Sequence, residues 1–99
     1  MIEQEIENEI KSKNLTAERI TPERIDEMIK REDYHVFYGT CLTVCCLTLR
    51  NGFTVTGESA CASPENFDAE IGRKISKENA RDKIWVLEGY LLKDKLFNA

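Results

Sequence analysis

The chain contains no apolar run near the roughly 18 residues that a membrane span requires. Its opening, Met1-Ile2-Glu3-Gln4-Glu5, is acidic where a secretion signal is basic. Both absences lead to the expectation of a cytoplasmic protein with no membrane partner. Positive charge is not in excess either: 14 Lys and Arg stand against 18 Asp and Glu, a net charge of −4. That balance excludes a general nucleic-acid binder, which needs a cationic face for phosphates. Neither Cys-x-x-Cys nor His-x-x-x-His occurs, since the four cysteines fall at 41, 45, 46 and 61 and the one histidine at 35. No tetrahedral zinc spacing results, and neither metal nor cofactor is expected. Reduced cysteines of this kind behave as small buried hydrophobes rather than disulfide partners.

What is present suits one folded domain: 99 residues, 41% hydrophobic and 32% charged, enough for a single core. Residues 1–20 form an acidic helical segment, in which Ile2, Ile6 and Ile10 step by four along a charged peptide. Residues 21–99 form a single α+β domain. Thr21-Pro22-Glu23 is a helix start, with Thr21 as N-cap and Pro22 in the first turn, and this helix should end near Arg31. A small antiparallel meander follows over about 34–38, 41–49 and 53–60, rich in β-branched residues. Asn51-Gly52 marks its second turn, with φ > 0 expected at both residues of a two-residue loop. That register places Leu42, Val44, Cys46, Phe53 and Val55 on the core face. The other face, with Thr43, Cys45, Leu47 and Leu49, is half apolar, which asks for a covering helix or a second subunit. Ser63-Pro64-Glu65 then starts a helix over about 64–75, where Phe67, Ile71 and Ile75 form a stripe. The stripe slips after Ile75, and Ser76 suits the cap of a second helix over about 78–95. The C-terminal part is therefore expected as a helical hairpin or a kinked helix.

Three strings carry a resemblance. They are Leu49-Arg50-Asn51-Gly52-Phe53-Thr54-Val55-Thr56-Gly57-Glu58-Ser59-Ala60-Cys61, then Pro64-Glu65-Asn66-Phe67-Asp68-Ala69-Glu70-Ile71-Gly72-Arg73-Lys74-Ile75, and Glu78-Asn79-Ala80-Arg81-Asp82-Lys83-Ile84-Trp85-Val86-Leu87-Glu88-Gly89-Tyr90-Leu91-Leu92. Together, over roughly residues 34–96, the chain resembles the gp forty-nine / gene sixty-six family of small phage and prophage proteins. Val86 stands where that pattern has proline. The resemblance implies a phage or prophage origin and hence a host cytoplasm. The order of elements, with Glu78, Asn79, Ala80, Lys83, Leu87 and Glu88, is also similar to phage proteins that sequester cyclic nucleotide immune signals.

The most site-like segment runs from Gly57 to Ser63, small residues leading into a helix N-terminus where backbone N–H groups favour an anion. Its ligand-binding candidates are Ser59, Ala60, Cys61, Asn66, Phe67 and Asp68. Arg73 and Lys74 supply charge, and Tyr38 or Phe53 a stacking surface. Small residues at this place equally serve a tight strand-to-helix connection. Nucleophilic catalysis by Ser59 or Cys61 needs His35 within reach, and nothing in the spacing brings them together, so no enzyme is expected. Two apolar stripes on the last helix, through Ile84 and Leu91 and through Trp85 and Leu92, exceed what one small core covers. A homo-oligomer is expected, binding a cyclic nucleotide or ADP-ribose-type signal. The alternative is a protein–protein interaction module with no small ligand.

Overall fold

In the computed structural model, which describes residues 2–99, the fold is α+β. The order is α1 (Ile2–Ser12), α2 (Pro22–Met28), β1 (Ile29–Val36), β2 (Thr43–Leu49), β3 (Thr54–Ser59), a 3-10 turn (Pro64–Asn66) and α3 (Ala69–Phe97). The strands form one antiparallel sheet in the order β1-β2-β3. α3 lies mainly along β3 and β2 and reaches β1 through Lys77, whose ammonium meets the Glu32 carboxylate at 2.8 Å.

α2 begins as its sequence dictates: Thr21 Oγ1 accepts the Arg24 N–H at 3.2 Å, and Pro22 opens the first turn. It ends earlier than expected. Ile29 takes extended backbone, and β1 starts there rather than at Tyr34. A register shift between Ile29 and Arg31 separates the Ile29↔Leu49 pair from the regular ladder that includes Tyr34↔Cys45.

The β2–β3 turn corrects the expected register. Leu49 N–H donates to the Phe53 carbonyl at 2.8 Å, so the loop is three residues, Arg50-Asn51-Gly52, and the ladder runs Thr48↔Thr54, Leu47↔Val55 and Cys45↔Gly57. Of these three residues only Gly52 has positive φ, at 90°. Asn51 instead uses its side chain, Oδ1 accepting the Phe53 N–H at 2.9 Å. One extra loop residue moves β2 by one against β3, and a shift of one exchanges the faces. Thr43, Cys45, Leu47 and Leu49 are therefore the buried residues of β2, with Val55 opposite them. Leu42, Val44 and Cys46 are half-buried on the open face, and Phe53 is exposed. The face that needed a cover has one: it is α3.

α3 is one helix where two were expected. The Ser63 side chain caps nothing, and residues 64–66 make only a 3-10 turn. Asp68 starts the long helix, its Oδ1 accepting the Ile71 N–H at 3.0 Å. Ser76 caps no second helix either. It is buried in mid-helix, its hydroxyl donating to the Arg73 carbonyl at 3.2 Å. The buried stripe is Gly72, Ser76, Ala80, Ile84 and Glu88, one position on from the expected Ile71 and Ile75, which stay half exposed. The reason is the distance between layers. A Cβ on Gly57 would lie 2.2 Å from both the Ala80 nitrogen and the Ser76 carbonyl oxygen. Only small side chains fit a helix set that close to a strand.

Ile25, Cys45, Leu47, Leu49, Val55, Ala80 and Ile84 form the core, between sheet, α2 and α3. Each large aliphatic buried there contributes about 1.5–3 kcal/mol. Glu88, also buried, is held by Arg24 at 2.9 Å. α1 is attached differently, with Ile2 and Ile6 largely exposed. Its buried Glu7 receives two hydrogen bonds from Arg19, at 2.6 and 2.8 Å, and Glu3 receives one from Arg81 at 2.7 Å.

Candidate functional site

β2 begins and β3 ends at one corner of the sheet. Extending their ladder by two residues beyond Thr43↔Ser59 sets Cys41 opposite Cys61. The neighbouring Cys61 side chain, aided by burial, pushes the Cys41 thiol above its ordinary range. The Cys61 thiol also reaches the Ser63 carbonyl at 3.4 Å. From there the 3-10 turn, closed by Asn66 N–H to the Ser63 carbonyl at 2.9 Å, carries the chain back to the start of α3.

This path gathers six of the ten candidates. Ser59, Ala60, Cys61, Asn66, Phe67 and Asp68 line one concavity of about 90 Å³, together with Cys41, Ile71, Gly72 and Ile75. Small-molecule sites are commonly several times larger, roughly 300–1,000 Å³. Gly72 leaves room there for Thr43, whose Oγ1 would lie 2.8 Å from a Cβ at position 72. That hydroxyl is fully buried and has no hydrogen-bond partner, a state that costs about 1–3 kcal/mol.

The other four candidates lie elsewhere. Arg73 is exposed on α3, and Lys74 is engaged with Glu70 at 3.2 Å. Tyr38 sits fully exposed in the β1–β2 loop. Phe53 is at the opposite end of β3, lining an apolar groove of about 400 Å³ with Leu49, Val86, Tyr90 and Leu91 among others. The anion expected at the N-terminus of a 64–75 helix has no such terminus to use, because α3 starts at Ala69 and the Asp68 carboxylate already caps it. Sequence reasoning missed Cys41, Ile71, Gly72 and Ile75. Counting a three-residue turn would have paired Cys41 with Cys61, whereas the two isoleucines looked like core.

A larger cleft of about 710 Å³ lies between α1 and α3, lined by Ile2, Ile6, Ile10, Ile20 and Trp85 and edged by Glu78 and Asp82. Those carboxylates make it unsuited to an anion. His35 packs edge-on against Phe37, with centroids 4.6 Å apart. Its register with Val44 places it on the open face, two strands from Glu58, so it is not brought to Ser59 or Cys61. Among the described residues no three His, Cys, Asp or Glu side chains gather to hold a metal ion, and no helix is long and apolar enough to cross a membrane.

The architecture defines a small two-layer α+β protein, one long helix over a three-stranded meander, with its loop cluster where β2 begins and β3 ends. The chain belongs to the Phage protein (N4 Gp49/phage Sf6 gene 66) family, whose model matches residues 20–96. The match takes in α2, the sheet and nearly all of α3, and leaves α1 outside. No curated protein and no solved structure matches the chain.

Proposed function

We propose that this phage-family protein is a non-enzymatic accessory factor that forms a homo-oligomer and sequesters a small cyclic nucleotide or ADP-ribose-type immune signal at the loop cluster of residues 59–68. The observation that carries this reading is the convergence of Ser59–Cys61 and Asn66–Asp68 on one concavity, with the unpartnered Thr43 hydroxyl buried beside it. Its rim is apolar, since Ile71 and Ile75 are 55% and 46% exposed, and Phe67 adds an aromatic edge. A hollow of about 90 Å³ does not enclose a nucleotide, so a second copy completes the site. Polar atoms of the loop orient the ligand, and the apolar walls exclude water from it.

The small volume and the acidic Asp68 cap favour the second reading, an interaction module with no small ligand. A thermal-shift panel of cyclic di- and trinucleotides and cyclic ADP-ribose isomers separates the two. A ligand at 100 times its Kd stabilises by about 2.7 kcal/mol, which for a domain this size raises Tm by about 10–20 °C. A panel that moves nothing leaves the interaction module.

A further inference from the structure

The two edges of the sheet differ in a way that specifies a partner. β1 presents Lys30-Arg31-Glu32-Asp33, four consecutive charges of the kind that blunt an edge against strand addition. β3, Thr54-Val55-Thr56-Gly57-Glu58-Ser59, has one charge and neither lysine nor proline. Because Leu49 bonds to Phe53, alternation along the ladder turns the backbone groups of Val55, Gly57 and Ser59 toward β2 and those of Thr54, Thr56 and Glu58 outward. The Glu58 carbonyl is taken by the Asn79 side chain at 2.8 Å. Thr54 and Thr56 keep both donor and acceptor open.

We infer that the β3 edge pairs antiparallel with the β3 edge of a second copy, Thr54 of each opposite Thr56 of the other, making a six-stranded sheet. This names the surface behind the oligomer proposed above and rests on that reading. The position of α3 is what points to a second copy. α3 runs over β2 and β3, so its axis lies about one strand spacing, ~4.8 Å, inside the edge-to-edge midline. A two-fold axis through that midline and normal to the sheet puts both helices on the same face, ~9.6 Å apart. Packed helices sit 8–10 Å apart, so strand pairing and helix packing are met by one symmetry operation.

The residues there fit. Ser76 to Ala80 stand over Gly57, so the axis at Val55, two residues along β3, falls near position 84 of α3. Val86 and Tyr90, 72% and 71% exposed, then face Lys83 and Asn79 of the partner subunit. The same pairing sets Phe53 of the partner subunit opposite Gly57, two residues from Ser59. An aromatic that the single chain holds far from the loop cluster is thereby carried toward it.

Light scattering at micromolar concentration tests this on the intact chain. Wild type should have an even multiple of 11.4 kDa. Thr56→Pro, which removes an outward N–H, should at least halve that mass. So should the double change Val86→Glu with Tyr90→Glu, both on exposed helix positions where the far-UV circular dichroism stays unchanged. The double change decides the matter if the proline variant fails to fold. An oligomer that keeps its mass in the folded double variant overturns this surface and leaves the oligomeric reading standing. A wild-type monomer overturns both.

Discussion

α1 and α3 carry the same kind of sequence signal and are held by different physics. Each has apolar residues four apart: Ile2, Ile6 and Ile10 in one, Ile71 and Ile75 after Phe67 in the other. Neither stripe is the buried one. α3 is fixed by Gly72, Ser76, Ala80 and Ile84 lying on the sheet without a gap, whereas α1 is fixed by carboxylates reaching Arg19 and Arg81. Close packing rewards small side chains and tolerates no added atom. Ion pairs tolerate distance and leave a cleft beside the helix. An isoleucine stripe thus marks a surface available for burial, not the surface a fold has used.

The strongest way to break the packed half is Gly57→Ala. Its new methyl would meet α3 backbone at 2.2 Å, which neither side can yield, so the loss should exceed the usual 1–3 kcal/mol of overpacking. Tm should fall by about 15 °C or more, or no folded protein should be recovered. A normal melt would mean that α3 does not lie on β3 as described.

Next in size is Gly52→Val, which forces a β-branched residue into φ = 90° at about 1–3 kcal/mol, a drop of several degrees. Asn51→Asp keeps the oxygen that accepts the Phe53 N–H and should melt within a degree or two of wild type. An equal drop in both would return the turn to two residues with positive φ at each.

Thr43→Val should act in the opposite direction. It exchanges a buried hydroxyl without a partner for a methyl of similar shape, and stability should rise by about 1 kcal/mol. A fall would reveal a hydrogen bond to that hydroxyl.

The charge-held half responds least in a melting experiment, which sharpens the contrast. Arg19→Met should free α1 and speed its amide exchange, while the melt of the sheet and α3 stays put. Acid should do the same to the wild type. The Arg19 hydrogen bonds hold the Glu7 carboxyl below its ordinary value of 4.5. A depressed folded pKa means that the stabilisation is complete above pH 4.5 and lost as pH falls through the lower folded value. Amide exchange measured between pH 6 and pH 3 should show α1 opening before the core; simultaneous loss would put α1 inside the cooperative unit.

Much of this architecture is written in short-range chemistry. The β-branched segments around Asn51-Gly52 make a hairpin wherever they are placed, because Gly52 can adopt positive φ and the flanking residues favour extended backbone. Thr21-Pro22 starts a helix for equally local reasons, and the phage family is legible from residues 49–92 alone. The six candidates that line the loop concavity are neighbours along the chain, so any compact turn between β3 and α3 gathers them. Tyr38, Phe53, Arg73 and Lys74 have the chemistry of a ligand site, but nothing local ties them to that corner.

The sequence by itself thus determined three strands, their antiparallel order, the start of α2 and the presence of a helical C-terminal third, all set within a few residues of each position. Tertiary structure alone decided which face is core, since one more residue in the β2–β3 turn moves every side chain of β2 to the opposite side. It also decided that α3 runs unbroken from Ala69 to Phe97. Ser76 has the chemistry of a helix cap, but the close approach of the backbone at Gly57 makes a small buried residue in mid-helix the better use of it.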